Sequence, residues 1–183
     1  MELRFEPKFY REHLGEKSDH KSLIQDFQPT RPEGYGLTRY LQDQAFVDEE
    51  SGNIRTYLIR QKGTGELVGY YSIRAGNILL RQNESTNVIS GIELTNFAVN
   101  GKYRVRHPKV TMVGARIFYG FIMPQIREIR VKILYIFALD QVPLLNYYKR
   151  LGFLSLQKQD EQFVYQTCKP SYDVTCIFMY KLL

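Results

Sequence analysis

Apolar residues recur along the chain in distinct rhythms, and each rhythm predicts a different element. From Tyr35 to about Val47, Leu37, Tyr40, Leu41 and Ala45 fall at three- and four-residue steps, the spacing that gathers side chains on one face of an amphipathic helix. Asp48 to Asn53 ends that pattern. Arg55 to Gln61 and Leu67 to Ala75 are rich in Tyr, Ile, Leu and Val, and Lys62-Gly63-Thr64-Gly65-Glu66 between them supplies the turn residues of an antiparallel hairpin. Ile133 to Leu139 is apolar without interruption, as a central strand buried on both faces would be.

The remaining segments are read against these. Leu3 to Phe5 is a short strand candidate, followed by a polar helical stretch that Gln28-Pro29-Thr30-Arg31-Pro32 turns into a loop, because two prolines this close do not fit inside a helix. A polar insertion around Asn83 to Asn87 precedes a strand at Gly91 to Val99. Val110 to Arg130 carries Ile117, Phe121 or Ile122, Ile126 and Ile129 at helical spacing, with Pro124 inside it. A proline crowds the carbonyl four residues back, so a kink or break is expected near Gly120 to Met123. Leu144 to Leu151 reads as a short helix closed by Gly152. Phe163 to Gln166 and Asp173 to Leu183 read as closing strands around a turn at Lys169-Pro170-Ser171. The predicted fold is α/β, with one mixed (α+β) central sheet flanked by helices in a single domain, 1–183.

Composition narrows the function only slightly. Hydrophobic residues make up 44% and charged residues 24% of 183, which suits a packed globular core rather than a disordered or fibrous chain. No apolar run approaches the roughly 20 residues of a bilayer span, and the first residues lack a secretory leader's apolar core, so a cytoplasmic protein with no membrane partner is expected. Cys168 and Cys176 match neither a redox nor a zinc spacing, and His13, His20 and His107 stand apart as expected surface residues, so no metal is implied. The net charge of +6 favours an anionic partner, which a nucleotide cofactor satisfies as well as a nucleic acid does.

Asn146-Tyr147-Tyr148-Lys149-Arg150-Leu151-Gly152-Phe153 resembles the late helix-to-strand motif of GNAT acetyltransferases, F-Y-E-K-L-G-F, with Tyr148 at the family's tyrosine. Leu134 to Leu139 before it, and Gly91 to Val99 upstream, are similar to two of the family's strands. The family's phosphate-binding turn, Q/R-x-x-G-x-G/A, aligns with Lys109-Val110-Thr111-Met112-Val113-Gly114. Lys109 stands at the Gln/Arg position and Gly114 at the second glycine, while Met112 departs from the first. In the N-terminal half, Leu37 to Leu41, Ala45, Arg55 to Leu58 and Val68 to Ser72 resemble the GNAT branch that includes bacterial toxins acetylating aminoacyl-tRNA.

The resemblance implies an acetyl-CoA-dependent N-acetyltransferase with acetyl-CoA as cosubstrate and no metal. Phe97, Ala98 and Val99 would pair with the pantetheine arm. The pyrophosphate would rest on the backbone of Lys109, Val110, Met112, Val113, Gly114 and Ala115, where a helix N-terminus attracts anions. Arg104 would assist unless Arg104-Val105-Arg106 is a solvated loop, and Gln141 completes the cofactor-binding set. Tyr148 is the implied general acid, since a phenol with an ordinary pKa near 10 stays protonated at neutral pH. Glu93 is either the base that takes the amine proton through water or a surface residue at a strand start. Three functions stay open: an acetyltransferase with an unidentified amine acceptor, a toxin acting on aminoacyl-tRNA, and a non-catalytic acyl-CoA-binding or regulatory module. The partners they admit are tRNA, a second copy in a homodimer and a ribbon-helix-helix antitoxin.

Overall fold

The computed structural model describes residues 8–82, 85–168 and 175–183. Seven strands form one mixed sheet: β1 (Phe9–His13), β2 (Arg55–Gln61), β3 (Leu67–Gln82), β4 (Ser85–Val99), β5 (Ile133–Leu139), β6 (Leu154–Ser155) and β7 (Cys176–Leu182), in the order β1-β2-β3-β4-β5-β7-β6. The helices are α1 (His20–Gln25), α2 (Tyr35–Arg39), α3 (Ala45–Ser51), α4 (Gly101–Arg106), α5 (Val113–Ile117), α6 (Met123–Ile129), α7 (Val142–Arg150) and α8 (Lys158–Cys168). The α/β mixed-sheet class expected from the sequence is therefore observed. No helix among the described residues is long and apolar enough to cross a membrane.

The chain divides into two compact units, the first made of residues up to Ile73 with Asn96–Ile122, the second of Arg74–Thr95 with Met123–Leu183. In unit 1, β1 and β2 pair antiparallel from Phe9↔Gln61 to His13↔Tyr57, and β2 pairs antiparallel with β3. Leu14, Ile24, Phe27, Leu41, Ala45, Leu58, Leu67 and Tyr70 form its core. The helical spacing read from Tyr35 onward is real, with Leu41 and Ala45 fully buried. The helix takes a π turn over Tyr40–Gln44 and closes at Gly52 in the left-handed conformation. The kink expected ahead of Pro124 is likewise a π turn, Phe118–Ile122, between α5 and α6. A wider turn relieves the clash between the proline ring and the preceding backbone.

In unit 2, β5 pairs antiparallel with β7 along its whole length and parallel with β4 at Gly91↔Ile133, Ile92↔Leu134 and Glu93↔Tyr135. The two segments read as strands, Gly91 to Val99 and Ile133 to Leu139, thus pair in parallel. At Gly91 a Cβ would lie 2.6 Å from Ile133 Cγ1, so only glycine lets the two strands approach at the start of this ladder. Ile78, Ile133, Tyr135, Val164 and Phe178 make the core.

Several expectations are corrected. The polar stretch after residue 8 is not helical at first: Phe9–His13 is an edge strand, because pairing to β2 and partners for the buried Glu12 outweigh its polar pattern. Ser85 to Asn87 open β4 rather than form an insertion. Phe163 to Gln166 lies in α8, not in a strand. Three apolar residues are too few to define a period, and the hydrogen bonds there join residues four apart, with the Tyr165 hydroxyl donating to Glu161 at 3.0 Å and Thr167 Oγ1 to the Phe163 carbonyl at 2.7 Å. Leu3 to Phe5 and the turn Lys169-Pro170-Ser171 lie outside the described residues.

Candidate functional site

Unit 1 carries the residues expected to meet the cofactor. Strand β4 ends at Phe97, Ala98 and Val99, all half-buried, and is fixed there by Asn100. Asn100 is fully buried; its N–H donates to the Val68 carbonyl at 2.8 Å and its side-chain amide to that of Leu67 at 2.9 Å. Its side-chain oxygen accepts from Lys102 N and so caps α4. Gly69 lies against this strand end, where a Cβ would come 2.5 Å from the Ala98 carbonyl oxygen.

Arg104-Val105-Arg106 is the last turn of α4 rather than a loop, because the Asn100 cap starts a helix that the sequence pattern did not announce. Arg106 is committed to Glu66 at 2.6 Å. Arg104 and Lys109 are exposed and have no ion pair among the described residues. Of the five Lys and Arg from Lys102 to Arg116, Lys102 and Arg106 face Asp26 and Glu66, so an anion reaching this segment meets chiefly the charge of Arg104 and Lys109.

The turn itself ends at Met112, which precedes α5 with φ 54° and ψ 29° and contributes no side-chain cap. Left-handed backbone costs an L-residue roughly 1–2 kcal/mol, which explains why the resembled motif prefers glycine there. Met112 is 74% exposed, so its side chain is largely solvated. From Val113 the helix runs through the π turn to Ile129 without a gap. The first N–H groups of a helix lack intrahelical partners, and here those of Val113, Gly114 and Ala115 receive no N-cap side chain. Val110 is half-buried, its N–H bonded to the His107 carbonyl at 3.0 Å. This arrangement suits a pyrophosphate.

Unit 2 carries the catalytic candidates. Tyr148 lies on α7 and is buried, its ring edge-on to Phe153 at 5.5 Å and to Tyr147 at 5.6 Å. Burial pushes its phenol well above the ordinary value, with Tyr147 adding to the shift, so it holds its proton throughout the physiological range. Gln141 is the half-buried residue ahead of α7, and its carbonyl accepts from Leu144 and Leu145, both at 2.9 Å. Glu93 is not a surface residue: it is 2% exposed in mid-strand, and Arg74 grips its Oε2 from Nε at 2.8 Å and Nη2 at 2.7 Å. Glu93 is also the last residue of β4 paired with β5; beyond it β4 continues to Val99 and β5 to Leu139.

Arg74 carries no signal in the sequence, and its role emerges only when β3 and β4 lie side by side. The histidines are not the surface groups expected of them. His20 is fully buried, accepting from Gly15 N at 3.1 Å and facing Glu12 at 3.0 Å, while His13 and His107 face Glu49 and Glu66 at 2.8 and 2.7 Å. Glu12 is further held by Lys17 and by Arg60 at 2.9 Å. Burial alone would raise its pKa, but the hydrogen bonds from Lys17, His20 and Arg60 prevail and bring it to about 2.

No family model matches the chain, and no curated protein matches it. Solved structures do. A tyrosine-to-phenylalanine mutant of the toxin AtaT, bound to the C-terminus of the antitoxin AtaR, aligns at TM-score 0.64 and 16% identity over 93% of this chain and 91% of that one. A tyrosine-to-phenylalanine mutant of KacT aligns at TM-score 0.65 and 13% identity over 96% and 95%. AtaT complexed with acetyl-methionyl-tRNAfMet aligns at 0.60 and 16% over 93% and 94%. At these identities the likeness speaks for the fold, and the chain has the mixed-sheet GNAT fold shared with these toxins over nearly its full length.

Proposed function

We propose that this chain is an acetyl-CoA-dependent N-acetyltransferase acting on the amino group of an aminoacyl-tRNA. The observation that carries the reading is the turn at Lys109 to Ala115, where an uncapped helix start follows a basic segment and the Met112 side chain is turned to solvent. That geometry supports a role for Lys109, Met112, Val113, Gly114 and Ala115 in holding a pyrophosphate through backbone donors, with Arg104 beside them and Val110, whose N–H is bonded to the His107 carbonyl, shaping the turn. Phe97, Ala98 and Val99 offer strand-edge groups to an extended pantetheine arm. Gln141 is assigned to the same set.

The chemistry needs a free amine, attack on the thioester carbonyl, and a proton for the departing thiolate. Tyr148 is assigned the proton: burial raises its phenol pKa, so it is protonated at physiological pH. Glu93 is assigned the amine's proton, received through water. The α-amine of an aminoacyl-tRNA is assigned as the acceptor, because the phosphates of its RNA suit a chain of net charge +6. The AtaT complex with acetyl-methionyl-tRNAfMet and the tyrosine mutants of both toxins support this reading. The complex with AtaR supports a small antitoxin as a second partner.

The test is direct. Purified protein, acetyl-CoA and a mixture of aminoacyl-tRNAs are incubated, and the aminoacyl group is analysed by mass spectrometry, with a lysine-containing peptide as competitor. N-acetylated aminoacyl-tRNA in preference to acetyl-lysine is expected. Acetylation of the peptide with unmodified aminoacyl-tRNA would overturn the acceptor assignment.

A further inference from the structure

The two units have the same excess of positive charge, fifteen Lys and Arg against twelve Asp and Glu in unit 1 and ten against seven in unit 2. They treat it differently. In unit 1 Lys17, Arg55, Arg60, Lys102 and Arg106 face carboxylates. In unit 2 the ion pair among the described residues is Arg74–Glu93.

Five other cations of unit 2 gather at one end of it. Lys149 and Arg150 are exposed on the last turn of α7. Lys181 of β7 reaches the end of that helix, since a Cβ at Gly152 would collide with its ammonium nitrogen. Lys181 stands opposite Leu134 in the β5–β7 ladder, and the Lys132 carbonyl, two residues before Leu134, accepts from Leu183 N at 3.2 Å. Arg130, exposed and in left-handed backbone, follows α6 immediately before this strand. None of the five has an ion pair among the described residues. Asp140, at the other end of β5, is roughly 25 Å from Lys132 along an extended strand.

We propose that Arg130, Lys132, Lys149, Arg150 and Lys181 form a surface that follows the phosphate backbone of an RNA stem. Favourable placement at a helix C-terminus accounts for Lys149 and Arg150 on α7, for Lys181 beside its end and for Arg130 after α6; Lys132 lies outside any helix and shares no such dipole. Lys149 and Arg150 follow Tyr148 directly on α7, so RNA held here is held on the helix that carries the assigned acid. The inference rests on the aminoacyl-tRNA reading for its biological partner, but backbone binding is measurable without any acyl transfer.

The experiment uses Lys149→Gln/Arg150→Gln/Lys181→Gln and a control, Lys21→Gln/Lys62→Gln in unit 1. Binding of deacylated tRNA is followed by fluorescence anisotropy over a range of KCl concentrations, and the fold is checked by circular dichroism and acetyl-CoA titration. Neutralising one cation that pairs with a phosphate should lower the slope of log K against log salt by about 1. A slope reduced by about 3 with at least tenfold weaker binding at low salt is expected for the triple variant, and a wild-type slope for the control. A triple variant with unchanged slope overturns the surface, as does an equal reduction in the control. If the triple variant no longer binds tRNA while wild-type protein never acetylates aminoacyl-tRNA, the surface stands and the acceptor assignment falls.

Discussion

Unit 1 and unit 2 reach stability by different means. Unit 1 buries charge and neutralises it: Glu12 collects Lys17, His20 and Arg60, and Arg60 also meets Asp19 at 3.0 Å. Unit 2 is held by aromatic packing, with Phe178 against Tyr135 at 5.8 Å and Phe137 at 5.4 Å, and Phe137 against Tyr165 at 5.9 Å. Rings packed in this way need no counter-ion, so the surface cations of unit 2 remain available to an external anion. Pairing, and not composition, decides which positive charges a partner can use.

The difference can be broken most severely at Tyr148. Tyr148→Phe keeps the ring packing against Phe153 and Tyr147 and removes the hydroxyl. A drop in kcat of about 10²–10⁴ is expected, with acetyl-CoA affinity unchanged. Wild-type kcat under conditions where chemistry limits the rate would make Tyr148 a packing residue of unit 2.

The buried charge of unit 1 gives the next effect. The folded pKa of Glu12, about 2, lies below its ordinary 4.5. Its contribution is therefore complete above pH 4.5 and is lost as pH falls from about 4.5 toward 2. The full loss is on the order of 3 kcal/mol. Urea unfolding at stepped pH should show stability falling in that window, and Glu12→Gln should flatten the fall. Parallel curves for wild type and variant would show that other carboxylates govern acid stability.

The turn ahead of α5 gives the smallest effects. Gly114→Val places a branched side chain among the proposed phosphate donors, and at least tenfold weaker acetyl-CoA binding, about 1.4 kcal/mol, is expected by calorimetry. Met112→Gly relieves the left-handed strain but loosens the unbound loop, and these opposing terms leave less than a tenfold change. Normal binding by Gly114→Val would move the phosphate site elsewhere in unit 1. A large gain by Met112→Gly would mean that the methionine obstructs the turn.

Much was legible without coordinates wherever a pattern was local and repeated. The strands Arg55–Gln61 and Ile133–Leu139 were read with their observed bounds, because runs of β-branched and aromatic residues between turn signals define a strand by themselves. The helix ending at Gly152 and the distortion before Pro124 follow from glycine's access to positive φ and proline's missing donor. Tertiary structure decided the rest. Phe9–His13 became a strand because β2 offered an edge and Arg60 a partner for Glu12, neither of which its own five residues announce. Phe163 to Gln166 became helical because Val164 had a core to enter. Burial of Glu93 and His20, the grip of Arg74, and the contrast between paired and unpaired cations all depend on residues distant in sequence. A charge acquires its environment from whatever folding brings within a few ångströms, and only the assembled chain fixes that.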